Sequence, residues 1–348
     1  MRSGSQSAAG YGTVCWATCS RRRGAFALAA GLSLIAAARR AEADPTAVSP
    51  QQAYAYGENE TPRAAGMGGA LRALGNATTG MFLNPAAMAE TRVYHIEALA
   101  EVSPEARRQV YGAAVTDSVT GRLAGGIAAT GGFVDPDGID RSYLAARVGL
   151  AYPISDRLFL GFAGKYAKIT QEGTLLQGGL GRSPVSGGLP DVESGGRLPV
   201  VDEFTFDAGA VVKVSDSIYL GAVGQNLTFP GHGLLPSTLG GGIGVGTADF
   251  SVEGDLVADF SSYAETAMRL SIGGEYLIAN HFPLRLGYRW DQGADTHAIS
   301  AGGGYVGKEV AIEVAVRRTL ADPGATTLYI GLTYHLEATG LTRAPTDF

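Results

Sequence analysis

From Arg92 to Glu337 the chain alternates between an apolar face and a small or charged one, segment after segment. Phe282, Leu284, Leu286, Tyr288 and Trp290 share one face, against Arg285, Gly287 and Arg289 on the other. Val310, Ile312, Val314 and Val316 oppose Ala311, Glu313, Ala315 and Arg317, and Met268, Leu270, Ile272 and Tyr276 oppose Arg269, Ser271, Gly273 and Glu275. The same reading holds for Leu328 to Glu337 and for Leu158 to Ala167. A period of two is that of a strand whose two faces meet different surroundings. Past Asp44 no second long apolar run without charges occurs, so membrane spans, if present, cross as strands and not as helices.

A soluble sandwich alternates too, but its polar face meets bulk water and is poor in glycine. Here 51 of 348 residues are glycine and only 17% are charged, and the second face is largely Gly, Ala and Ser with charges of both signs between them. That composition suits a lumen, where small residues leave room and opposite charges can pair. Segments of roughly 10 to 13 residues, tilted as barrel strands are, cover an apolar band about 25 Å tall.

Fourteen segments begin near Arg92, Gln109, Arg122, Ser142, Arg157, Asp202, Ser217, Ser237, Asp249, Thr266, His281, His297, Lys308 and Thr326. Links after even segments are short, as at Pro153 to Asp156, Ser215 to Asp216 and Ala279 to Asn280. Those after odd segments are more often longer, as at Gln171 to Val201 and Phe229 to Pro236. An even strand count with short turns at one end and long links at the other is the layout of a bacterial outer-membrane barrel. The expected fold is therefore all-β: a 14-stranded antiparallel transmembrane barrel over residues 91–337, with a short tail at 338–348.

Residues 1–43 read as a signal peptide: Arg21, Arg22 and Arg23, an apolar run to Ala38, then Ala41-Glu42-Ala43. The arginines leave both general and twin-arginine export open. Cleavage there makes Asp44 the expected mature start, and it removes both cysteines, Cys15 and Cys19. Residues 44–90 do not alternate. They carry Gly66-Met67-Gly68-Gly69, then Asn84-Pro85-Ala86. Small residues at this density allow close packing in a confined space, and Asn84-Pro85 by itself reads as a turn or helix start.

These two motifs ahead of fourteen strands resemble the FadL family of outer-membrane transporters for hydrophobic compounds, and equally its PorV-like relatives. The resemblance implies that residues 44–90 form a hatch inside the barrel, with Gly66, Met67, Gly68, Gly69, Asn84, Pro85 and Ala86 in it. It also implies an outer groove built from the links after the fifth and seventh strands. Those links hold Leu175, Leu176, Leu180 and Leu189, and Phe229, Leu234 and Leu235, which become the expected substrate-binding residues. Arg269, Glu275, Arg285, Arg289, Glu313 and Arg317 are expected in the lumen, as a charge network or as groups that solvate a wet interior. Gly121, Gly125, Gly126, Gly131 and Gly132 of the third segment mark either a bend that opens the wall sideways or close packing against the hatch.

Other chemistries fail on context. Gly302 to Lys308 has the spacing of a phosphate-binding loop, but Glu309 follows where a hydroxyl is needed, and an alternating strand comes next. His95, His232, His281, His297 and His335 show no metal-ligand spacing, and no Gly-x-Ser-x-Gly elbow occurs. A net charge of -6 argues against nucleic acid as partner. The expectation is thus a barrel that is not an enzyme and holds neither cofactor nor metal. Its partners are outer-membrane lipid, the outer-membrane assembly machinery and a hydrophobic small molecule that it takes up passively. The alternative is a structural or secretion-associated scaffold of the PorV-like kind.

Overall fold

The computed structural model describes residues 55–136, 140–172, 197–321 and 324–336. The stretch expected to be a signal peptide, the expected mature start, the expected tail, and Leu175, Leu176, Leu180 and Leu189 lie outside them.

Fourteen strands form one closed antiparallel barrel in which each pairs with its neighbours in sequence and the last returns to the first. They are β1 (Tyr94–Ser103), β2 (Arg108–Asp117), β3 (Ala124–Val134), β4 (Arg141–Ser155), β5 (Leu158–Glu172), β6 (Arg197–Lys213) and β7 (Ile218–Gln225). The circuit continues through β8 (Thr238–Gly246), β9 (Phe250–Asp259), β10 (Ala267–Ile278), β11 (Phe282–Asp291), β12 (Thr296–Val306), β13 (Val310–Thr319) and β14 (Thr326–Leu336). Closure removes every sheet edge, so backbone polar groups in the wall are paired away from lipid. The alternation has the expected sense. Leu284 and Leu286 on β11, and Val310, Ile312, Val314 and Val316 on β13, point outward and are exposed. Arg269, Arg285 and Arg317 point inward and are buried.

Thirteen strands start within two residues of the position that the alternation predicts. The exception is β6, which begins at Arg197 rather than Asp202. Its first residues pair with β5 across a register shift at Ile169 and Thr170, whereas pairing with β7 runs only from Ala208↔Gly224 to Lys213↔Tyr219. Pro199 therefore needs no donor toward β7, and a strand can pass through it.

The third strand is straight in register. β3 pairs with β2 from Arg108↔Val134 to Asp117↔Gly125, and with β4 from Ala124↔Ala151 to Val134↔Arg141, without a shift. A bend there that parts the wall is thus excluded. Gly126 instead makes room: a Cβ on it would meet Thr116 and approach Met88 of the enclosed segment.

That enclosed segment fills the lumen. It comprises a 3₁₀ turn (Ala55–Gly57), helix α1 (Pro62–Gly66), helix α2 (Ala77–Leu83) and a second 3₁₀ turn (Pro85–Ala89). Helix α1 starts because Pro62 presets φ at its first position and Thr61 caps it, accepting the amide of Ala64. It ends where Gly68 and Gly69 take positive φ, 71° and 86°. Only glycine suits that conformation against the wall, because a Cβ on Gly68 would lie 2.7 Å from the carbonyl oxygen of Tyr288. Helix α2 ends at Asn84, whose side chain accepts the amide of Ala86 and so starts the second 3₁₀ turn at Pro85.

Candidate functional site

The wall receives the hatch through its glycines. A Cβ on Gly287 would lie 2.1 Å from the amide nitrogen of Gly68, and one on Gly273 would lie 2.3 Å from the carbonyl oxygen of Met67. Gly161 meets Pro85 and Ala86, Gly221 meets Arg72, and Gly209 meets the side chain of Asn84. The small face of the strands is thus the negative of the hatch. Asn84, fully buried, donates to the carbonyls of Arg72 at 2.7 Å and Ala210 at 3.3 Å, tying both halves of the hatch to β6. Gly66, Met67, Gly68, Gly69, Asn84, Pro85 and Ala86 are all buried in the enclosed segment.

Each predicted lumen charge meets a partner, and the hatch supplies many of them. Glu60 binds Arg289 and Arg317, each at 2.5 Å, while Arg63 binds Glu275 at 3.0 Å. Glu275 also binds Arg285, which reaches Glu313. Arg269 lies 3.6 Å from Glu58 and 3.7 Å from Asp259, with its guanidinium 4.4 Å from the Tyr56 ring. These contacts make a network, not a set of separately solvated groups. Burial pushes the Glu60 carboxyl up, but the Arg289 and Arg317 guanidiniums outweigh it and hold that group well below the usual carboxylate range.

Sequence reasoning missed the hatch side of this network and a pair of acids on β9. Asp255 accepts the amides of Leu71 and Arg72, both at 3.1 Å, and Glu253 accepts those of Ala73 at 2.6 Å and Leu74 at 2.7 Å. Two carboxylates therefore grip four successive backbone donors in the turn between α1 and α2. The signal was present: Ser251, Glu253 and Asp255 alternate with Val252, Gly254 and Leu256.

At the end that carries the long links, the link after β7 folds inward. Leu234 and Leu235 are 2% and 1% exposed and pack with Val110, Val134, Tyr143, Ile169 and Val201. The two leucines expected in an outer groove thus face inward, within a buried apolar cluster. Phe229 remains outside, 65% exposed. The link is pinned by its ends: the Asn226 amide donates to Asp207 at 2.8 Å, and the Leu227 amide donates to the Phe206 carbonyl at 2.9 Å. These bonds use the stretch of β6 that β7 leaves unpaired, which draws the link over the lumen.

Below this apolar cluster, a cavity of about 90 Å³ lies beside the hatch and is lined by Tyr56, Ser103, Arg108, Asp291, Thr296 and Tyr329 among others. On the far side of the hatch a vestibule of about 780 Å³ opens toward the short turns, with Leu74, Tyr219, Glu275, Pro283 and Glu313 in its walls. Apolar mouth, hatch and vestibule thus follow one another along the barrel.

No family model matches this chain, and no curated protein matches it. Solved structures do. The Ralstonia pickettii toluene transporter TbuX superposes with a TM-score of 0.58 at 16% identity, over 80% of this chain and 98% of that one. The CymD monoaromatic hydrocarbon channel gives 0.60 at 14% identity, over 80% and 97%. A FadL homologue from Pseudomonas aeruginosa gives 0.56 at 15% identity, over 79% and 98%. The chain has the fold of these proteins: a closed antiparallel barrel of fourteen strands.

Proposed function

We propose that this protein is a bacterial outer-membrane barrel for passive uptake of a hydrophobic small molecule. The observation that carries the reading is the buried apolar cluster around Leu234 and Leu235 at the mouth of a lumen that the hatch otherwise fills. An ion or a sugar gains nothing from such a lining, whereas an apolar solute gains about 25 cal/mol for each Å² removed from water. The neighbours of the same fold are named for toluene and monoaromatic hydrocarbons, which fits this lining. Passage then requires the hatch to shift, and the groups that must let go are Glu60, Arg63 and the amides held by Glu253 and Asp255. In this reading the barrel is a conduit, not a catalyst.

The test is binding and uptake of toluene and of a long-chain fluorescent fatty acid by the protein in outer-membrane vesicles. Saturable binding that Leu234→Ser with Leu235→Ser weakens supports the proposal. Absence of binding for every apolar probe in the unmutated protein overturns it in favour of a scaffold.

A further inference from the structure

Two histidines that sequence spacing keeps far apart meet where the barrel closes. His95 of β1 stands directly opposite His335 of β14 in the register, both on the lumen face. Their ring centroids are 4.6 Å apart with the planes inclined at 54°. Both line the vestibule at the short-turn end, so solutes reach them from that side.

The surroundings are polar and incompletely bonded. His95 Nε2 is buried without a hydrogen-bond partner, and so are Glu90 Oε2 and Thr91 Oγ1, which belong to residues of the same vestibule. Thr116, opposite His95 on β2, has its Oγ1 buried without a partner as well. Buried orphan polar atoms are uncommon, and several at one place ask for a ligand that supplies what they lack.

We propose that His95 and His335 bind a first-row divalent transition-metal ion such as Zn²⁺ across the β1–β14 seam. Neutral imidazole is a good ligand for Zn²⁺, Cu²⁺ and Ni²⁺, with metal–nitrogen distances of about 2.0 to 2.1 Å. Side chains directly opposite on paired strands have Cβ atoms about 4.5 to 5.5 Å apart, close enough for two imidazoles to share an ion. Among the described residues no group of three His, Cys, Asp or Glu is preassembled around a metal position, so the ion keeps water from the vestibule in its remaining positions. Binding then joins the first strand to the last and stabilises closure.

The test uses full-length protein without a histidine tag, purified in mild detergent and stripped with EDTA. Zn²⁺ is titrated while bound metal and the temperature of the unboiled-to-boiled gel transition are measured. One Zn²⁺ per chain and a raised transition temperature are expected, and Co²⁺ should give a visible spectrum with imidazole ligation. His95→Ala and His335→Ala should each weaken binding by about tenfold or more, at least what losing an outer-shell partner of a metal site costs. His281→Ala, at an exposed turn, should leave binding unchanged. Should His95→Ala give no heat-modifiable band, His335→Asn is read in its place. No saturable Zn²⁺ binding, or binding that survives loss of either histidine, overturns the proposal.

Discussion

Glu60 of the hatch and Arg317 of β13 are 257 positions apart in the chain and joined by a 2.5 Å contact inside the barrel. Arg289 of β11 reaches the same carboxylate. Two wall cations thus hold one acid of the enclosed segment, and their mutual repulsion is relieved only while Glu60 is in place. Removing one member of a buried pair leaves its partner uncompensated, at a cost of about 3 to 5 kcal/mol. Glu60→Gln should therefore loosen the hatch and leave the barrel intact. Planar-bilayer recordings should show larger or more frequent ion-conducting openings, with heat-modifiable migration unchanged. Conductance equal to that of the unmutated protein would mean that the network does not hold the hatch.

The same pair has a dependence on pH. The carboxyl of Glu60 is held below its solvated value in the closed hatch, so it binds fewer protons there than when the hatch is released. Its contribution to closure is complete above the solvated value of about 4.3 and is lost as pH falls through the depressed one. Channel closure should thus persist unchanged from neutral pH to about pH 5 and weaken only in stronger acid. Glu60→Gln should remove that acid sensitivity. An opening transition near pH 6 to 7 that Glu60→Gln leaves in place would assign the closure to other groups.

Leu286 and Gly287 are consecutive and face opposite sides of the barrel wall. Leu286 is 71% exposed on the outer surface, while a Cβ on Gly287 would strike the Gly68 backbone. Leu286→Arg places a charge in lipid, which costs about 2 to 4 kcal/mol near the midplane and should lower the yield of folded barrel. Gly287→Val should leave the barrel folded and displace the hatch, seen as raised conductance. Equal effects of the two substitutions on folding would contradict the assignment of faces.

The strands were legible because a period of two survives in every segment, even where glycine replaces the polar partner. β6 begins at Arg197, ahead of the Asp202 that the alternation marks, and Pro199 in that stretch is harmless because β7 has already ended there. The wall charges were legible for the same periodic reason. Their partners were not: Glu58, Glu60, Arg63 and Arg72 sit in a segment without alternation, and nothing local says which wall residue each will meet. Leu234 and Leu235 show the limit most plainly. An apolar pair in a link rich in Gly and Pro signals a contact, but the direction in which the link folds is set by Asp207 and Phe206 on the neighbouring strand β6.

That direction separates two accounts of how a ligand is captured. Were capture to take place on the outer surface, Phe229 would matter most, since it is the large apolar side chain of the β7–β8 link that remains exposed. In a buried mouth, Leu234 and Leu235 matter, because they close the cluster with Val110, Tyr143 and Ile169. Exchanging two buried leucines for serine removes apolar lining and inserts hydroxyls, each costing about 1 to 3 kcal/mol when unpaired. Leu234→Ser with Leu235→Ser should thus reduce the affinity for an apolar probe by at least about tenfold, which corresponds to 1.4 kcal/mol. Phe229→Ser should change affinity little, though it can slow association if the ring makes the first contact. The measurement is probe binding by fluorescence in detergent, with heat-modifiable migration as the folding control. Loss of binding on Phe229→Ser with full binding in the double serine variant would return capture to the exposed surface and leave the buried cluster a structural plug.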